Sequence, residues 1–171
     1  MTPGNFATLH MLCGKIAAGK STLAARLLEE PGTVLIAEDE WLHALYGDEM
    51  ATPRDFVRCS GRLRQVMGPH VAGLLRAGMS VVLDFQANTV DARRWMHGVA
   101  EAAGVDHRLH YLDVPDEVCL ARLKARNAQG DHPFAATEEQ FVQITKYFVP
   151  PSPEEGLTLV VHRADEAGQV R

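Results

Sequence analysis

The stretch Gly14-Lys15-Ile16-Ala17-Ala18-Gly19-Lys20-Ser21 constrains this chain more than any other. It meets the spacing G-x-x-x-x-G-K-[ST] at every fixed position. A polyphosphate is dense negative charge, and backbone N–H groups must come close to it without side chains in the way. Gly14 and Gly19 permit the tight turn and the close approach. A lysine at the place of Lys20 reaches the β- and γ-phosphates, and a hydroxyl at Ser21 can ligate Mg²⁺. Lys15, Ala17, Ala18, Gly19 and Thr22 complete the stretch expected to surround the phosphates. The context agrees: Thr8–Leu12 has the pattern of a short strand, and Thr22–Glu30 that of a helix whose positive end faces the loop.

The rest of the chain repeats that alternation. Pro31-Gly32 stops the first helix, and the β-branched run Thr33–Ala37 is the second strand. It ends in Glu38-Asp39-Glu40, with a short helix over Trp41–Tyr46 closed by Gly47. Thr52-Pro53-Arg54-Asp55 opens a helix as N-cap, first-turn proline and capping-box acid. Gly68-Pro69 is expected to break or kink it, with a second piece running to Ala77. Ser80–Asp84 is the third strand, a continuous apolar run suited to a sheet buried on both faces. A helix opened by Thr89 or Asp91 runs to Ala103. His107–Leu112 is the fourth strand, a helix follows from Pro115-Asp116 to Asn127, and Thr137-x-x-Gln140 caps a helix reaching about Phe148. Leu157–Val161 is the fifth strand. The first five residues are expected to be a loose arm, and a polar tail ends the chain. These elements spell a three-layer α/β domain spanning 1–171, a parallel sheet of five strands with helices on both faces.

Composition narrows the classes. The net charge of −5 argues against a nonspecific nucleic-acid binder. Cys13, Cys59 and Cys119 are scattered with no paired spacing, which argues against a disulfide framework or a zinc site and for a reducing, cytoplasmic setting. No apolar run approaches the length of a membrane span, and the N-terminus lacks a basic-then-apolar signal pattern. The oligomeric state, monomer or homodimer, stays open.

In such sheets ligands bind at the carboxyl ends of the strands. Asp39 follows the second strand, where a carboxylate could take the proton of an acceptor hydroxyl, and Glu38 and Glu40 are neighbouring candidates. Asp84 ends the third strand, where an acid could hold Mg²⁺ or organise the site. Spacing leaves open which of the two is the base. Phe85, Gln86 and Asn88 share the following loop and could line an acceptor pocket. Arg122 and Arg126 lie four apart on one helix face, and guanidinium groups match the charge of a transferring phosphoryl group. The polar segment 127–136 suits a lid. Arg93 and Arg94, and the arginines between strands two and three, are expected at the surface. Trp41, His43, Tyr46 and Phe56 either line the acceptor cleft or pack a subdomain.

Gly14–Ser21, Leu35-Ile36-Ala37-Glu38-Asp39, Val81-Val82-Leu83-Asp84, Val114–Val118 and Arg122–Asn127 together resemble the small P-loop kinases grouped with AAA-family ATPases. Chloramphenicol phosphotransferase, phage-type polynucleotide kinase and the zeta toxins belong to that grouping. The resemblance spans about Thr8 to Val161. It implies a P-loop NTPase fold with strand order 2-3-1-4-5 and a small lid. It also implies ATP and Mg²⁺ at Lys20 and Ser21, Asp39 as the acid that activates the acceptor, Asp84 as the second acid, and Arg126 as a phosphate clamp. Related kinases often carry an arginine three positions after the acid of strand two; Leu42 stands there, which points away from a phosphorylated or polynucleotide acceptor. The expectation is an ATP-dependent kinase acting on a hydroxylated small molecule. The alternatives are a polynucleotide or nucleotide kinase and an ATP-binding regulatory module without transfer.

Overall fold

Five apolar runs pair into one sheet: β1 (Thr8–Cys13), β2 (Thr33–Ala37), β3 (Ser80–Asp84), β4 (Asp106–Asp113) and β5 (Leu159–Arg163). The structure is a computed structural model and describes residues 6–130 and 135–164. The strand order is β2-β3-β1-β4-β5, and every pairing is parallel. This is the order that the resemblance implied. A parallel pair cannot close with a hairpin, so a helix crosses over each connection and both sheet faces are covered.

Strand alternation sends side chains to two cores. Leu9, Met11 and Cys13 of β1 face one way with Val81 and Leu83 of β3, and meet helices α2 (Glu38–Tyr46), α3 (Pro53–Arg76) and α4 (Val90–Ala103). Leu12 and Val82 face the other way, with Leu112 of β4, and meet α1 (Lys20–Leu27), α5 (Asp116–Gln129) and α6 (Glu138–Thr145). Burying each such leucine or valine contributes roughly 1.5–3 kcal/mol, so the strands that carry the site ends are held from both sides.

Three expectations need correction. Gly68-Pro69 does not divide its segment: α3 is one helix of 24 residues with Pro69 inside. Proline crowds the preceding residue's Cβ, and Gly68 has none. Met67, Val71 and Leu75 also lock both halves to the same core. The short helix expected from Trp41 starts earlier: Glu38-Asp39-Glu40 forms the first turn of α2, where carboxylates face the positive helix end. Arg93 is not at the surface. It is fully buried in the first turns of α4 and makes a two-bond pair with Glu155, Nε to Oε2 at 2.7 Å and Nη2 to Oε1 at 2.9 Å. Its Nη1 donates to the carbonyls of Ala87 and Val149, each at 2.9 Å.

Smaller differences lie at element ends. α1 stops at Leu27, α6 at Thr145, and β5 is shifted to Leu159–Arg163. The capping boxes at Thr52/Asp55 and Thr137/Gln140 form as the sequence indicates, and Thr89 is the N-cap of α4. The expected arm at 1–5, the tail beyond 164 and the middle of the expected lid, 131–134, lie outside the described residues.

Candidate active site

The carboxyl ends of β1, β2 and β3 bring the candidate residues to one edge of the sheet. β1 runs into the phosphate loop, and α1 leaves it at Lys20. Gly19 is the N-cap residue at φ 106°, a left-handed conformation that favours glycine. Ala17 also sits in the left-handed region, at φ 61°, which costs energy for a residue with a Cβ. Gly14 is needed for a different reason. A Cβ there would lie 3.1 Å from the Leu112 Cβ and 3.2 Å from the Ala18 Cβ. Its role is close packing against β4, which sequence reasoning took for turning freedom.

Lys20 folds back over the loop. Its Nζ donates to the Gly14 carbonyl at 2.6 Å and the Lys15 carbonyl at 2.9 Å. Burial pushes its ammonium below the usual lysine range, opposed mainly by Asp84, with a smaller pull from Asp39. Ser21 and Thr22 are exposed in the first turn of α1, which contains no acidic residue. The positive end of that helix is therefore uncompensated by its own sequence and favours an anion.

Asp84 is the last residue of β3 and pairs in register with Ala37, the last of β2. Asp39 follows two residues later in the first turn of α2 and is exposed. Burial raises the Asp84 carboxyl above its ordinary value; Lys20 works against this, and Asp39 and Glu40 add to it. Both predicted acids thus lie within electrostatic reach of Lys20. For Mg²⁺, the donor chemistry fits a shared site: Mg²⁺ takes one or two carboxylates, a hydroxyl, waters and substrate phosphates. Among the described residues no group of three His, Cys, Asp or Glu side chains is placed to hold a metal alone, which suits an ion that arrives with phosphates.

The α5 arginines occupy the other side of the loop. Arg122 Nη1 donates to the carbonyls of Ala17 at 3.4 Å and Ala18 at 3.2 Å, so it braces the loop backbone. Arg126 is half-buried, and its Nε has no hydrogen-bond partner among the described residues. Lys15 is pinned by Asp116 and by the Val114 carbonyl at 3.3 Å.

A cleft of about 190 Å³ opens on the opposite side of Lys20. Glu38, Phe56 and Arg64 line it from α2 and α3, Gln86 and Asn88 from the β3–α4 loop, and Tyr147 and Phe148 from just beyond α6. Asn88 is a brace as well as a wall. Its Oδ1 accepts from the Gly14 N–H and its Nδ2 donates to the Gly14 carbonyl, both at 3.0 Å. Its own carbonyl accepts from Val149 N–H at 2.9 Å. Of the residues that line the cleft, sequence reasoning missed Tyr147 and Phe148, and it expected Arg64 at the surface. The signal was present: Phe56, Ser60 and Arg64 recur every fourth residue, which puts them on one face of α3. Trp41 and His43 are exposed and do not line the cleft, and Tyr46 packs partly against the core.

A five-stranded parallel sheet in this order, with a lysine-bearing glycine loop entering a helix, defines a P-loop NTPase fold. Residues 9–151 match the AAA_33 model, described as an AAA domain, and the chain belongs to that family. No curated protein matches the sequence. Among solved structures the chain is similar to a candidate kinase from Chloroflexus aurantiacus J-10-fl, at 19% identity and TM-score 0.71, covering 96% of this chain and 89% of that one. A chain of the Pnkp1/Rnl/Hen1 RNA repair complex is similar at 20% identity and TM-score 0.63, covering 85% of this chain and 45% of that one. An unliganded sugar kinase from Janibacter sp. HTCC2649 is similar at 16% identity and TM-score 0.61, covering 92% and 85%. At these identities the likeness is one of fold.

Proposed function

We propose that the protein is an ATP-dependent phosphotransferase that moves the γ-phosphoryl group to a hydroxyl of a small molecule. The observation that carries this reading is the arrangement around Lys20: two acids on one strand-end edge, and a cleft beside the loop large enough for a small acceptor. A switch that only binds nucleotide has no use for an acceptor cleft next to its phosphate site.

In this reading the loop N–H groups, Lys20 and the α1 N-terminus hold the β- and γ-phosphates. Ser21 and Asp84 would hold Mg²⁺ together with the phosphates, and the ion would supply charge neutralisation at the transferring group. Asp39 accepts the proton of the acceptor hydroxyl. The new O–P bond forms at the γ-phosphorus as its bond to the β,γ-bridging oxygen breaks, and ADP leaves. Arg122 fixes the loop, and Arg126 clamps the nucleotide phosphates from the α5 side. Fold kinship with kinases agrees with the reaction class, and the residues named supply its chemistry.

The test is transfer itself. Incubation with ATP, Mg²⁺ and a pooled library of hydroxylated metabolites and antibiotics should give a phosphorylated product by ³¹P NMR or mass shift. Lys20→Ala should abolish transfer and weaken nucleotide binding. Asp39→Asn should lower kcat by about a hundredfold or more while ATP affinity stays within twofold. Full turnover by Asp39→Asn would remove it as the base.

A further inference from the structure

The cleft beside the loop carries information about the acceptor, through the charges on its walls. Glu38 is only 2% exposed. Ser60 Oγ donates a hydrogen bond to its Oε1, and Arg64 Nε stands 3.7 Å from the same oxygen. Burial raises the Glu38 carboxyl, and Ser60 and Arg64 pull it back. The Arg64 guanidinium lies over the Trp95 ring, 5.2 Å from its centroid, which fixes its plane. Its Nε is buried and has no hydrogen-bond partner among the described residues. A buried N–H without an acceptor is costly and calls for an oxygen from a ligand.

The other charges on this side are already answered. Lys15 is paired with Asp116, and Lys20 is committed to the loop beside Asp84. Glu38 and Arg64 compensate each other. Among the described residues that line the cleft, each cation has an acid or a loop carbonyl beside it and Glu38 has Arg64, so a carboxylate or phosphate on the acceptor meets no unpaired cation and an ammonium no unpaired acid. The remaining walls combine uncharged polar side chains, Gln86 and Asn88 among them, with apolar and aromatic ones. Phe56 is 41% exposed and Tyr147 77% exposed, large areas of ring left at the mouth, with Phe148 deeper and stacked near Tyr111. The volume of about 190 Å³ exceeds the roughly 150 Å³ cavity that accommodates a benzene ring.

We infer that this cleft binds an uncharged, hydroxyl-bearing ring compound of about monosaccharide to nucleoside size, and that Glu38 and Arg64 select it. One hydroxyl donates to the Glu38 carboxylate through Oε2, since Ser60 and Arg64 both engage Oε1. A hydroxyl or ring oxygen accepts from Arg64 Nε. Phe56 and Tyr147 cover the apolar face of the ring. A second hydroxyl is thereby left toward Lys20 and the phosphate loop, which line the same cleft. This inference rests on the phosphotransferase reading for the fate of the ligand, but not for its binding.

The experiment uses the full chain and paired probes: myo-inositol, ribose, adenosine and phenyl β-glucoside, each beside its monophosphate, with a 5′-hydroxyl oligonucleotide as a third arm. Calorimetric titration in the presence of Mg²⁺ and a non-hydrolysable ATP analogue reads binding; mass shift with ATP reads transfer. At least one uncharged probe should bind tenfold or more tightly than its monophosphate. Glu38→Gln and Arg64→Lys should each raise its Kd, or its KM, at least tenfold, with nucleotide affinity unchanged. Phe56→Ala, at an exposed wall position that folding tolerates, should weaken phenyl β-glucoside more than myo-inositol. Binding that depends on Glu38 without transfer would support the cleft assignment and overturn the phosphotransferase reading. Binding of none of the uncharged probes, equal or tighter binding of the monophosphates or the oligonucleotide, or indifference to all three substitutions overturns the inference.

Discussion

Far from the phosphate loop, three histidines form a row through the sheet, and they should make folding stability depend on pH. His10 Nδ1 lies 3.0 Å from His110 Nε2, and His110 Nδ1 lies 2.9 Å from His162 Nε2. The rings belong to β1, β4 and β5, and His110 is 4% exposed. Burial lowers His10 to about 4 and His110 to about 3, with Arg108 adding to the effect on both and the neighbouring imidazoles adding on His110. His162 is lowered too, by burial and then by Arg26. Such histidines stay neutral in the folded chain, while the unfolded chain takes up protons below about pH 6.5. Stability is therefore complete above that value and falls as pH drops from it toward the folded values. The slope is about 1.4 kcal/mol per pH unit per histidine. Between about pH 7.5 and about pH 5.5 each of His10 and His110 should remove about 1.4 kcal/mol, roughly 3 kcal/mol together. Glu38 and Asp84, raised by burial, act in the opposite sense, so the comparison with a variant carries the test. His10→Phe keeps a ring against His110 and deletes one titrating group. Urea unfolding across the range should show the variant about 1 kcal/mol less stable at the upper pH, from the lost hydrogen bond, but losing about half as much on acidification. Parallel pH profiles for the two proteins would refute the assignment.

Other substitutions probe the braces behind the site. Arg93→Met strands Glu155 and two backbone carbonyls, so it should cost about 3–5 kcal/mol, read as a lowered Tm. An unchanged Tm would mean that the 149–155 segment is held by other contacts. Asn88→Asp keeps the bond from the Gly14 N–H but replaces the bond to the Gly14 carbonyl with repulsion. It should weaken nucleotide binding about tenfold, measured by titration with a fluorescent ATP analogue, with a loss of stability of only about 1–2 kcal/mol. Undiminished affinity would show that the loop keeps its form without Asn88.

The layers of the fold were legible because each strand is a local pattern of apolar residues and each crossover is a local helix with its own caps. The loop was legible because phosphate chemistry imposes a fixed spacing on a contiguous stretch. What stayed hidden depends on residues far apart in sequence. Arg93 looks like a surface arginine in the first turns of a helix, and only the return of Glu155, 62 residues later, allows it to be buried. Gly68-Pro69 carries a helix-breaking signal, yet the helix continues through it, because Met67 and Val71 on either side bury in the same core. Asn88 reads as one loop residue among several until the fold places Gly14 beside it. Glu155, Arg93 and Asn88 belong to one chain of contacts. Glu155 fixes Arg93, Arg93 fixes the carbonyls of Ala87 and Val149, and the adjoining Asn88 fixes Gly14. The glycine-rich loop therefore owes its shape to its own spacing and also to a buried ion pair on the far side of the β3–α4 loop. A substitution at Glu155 should accordingly reach the phosphate site without touching it.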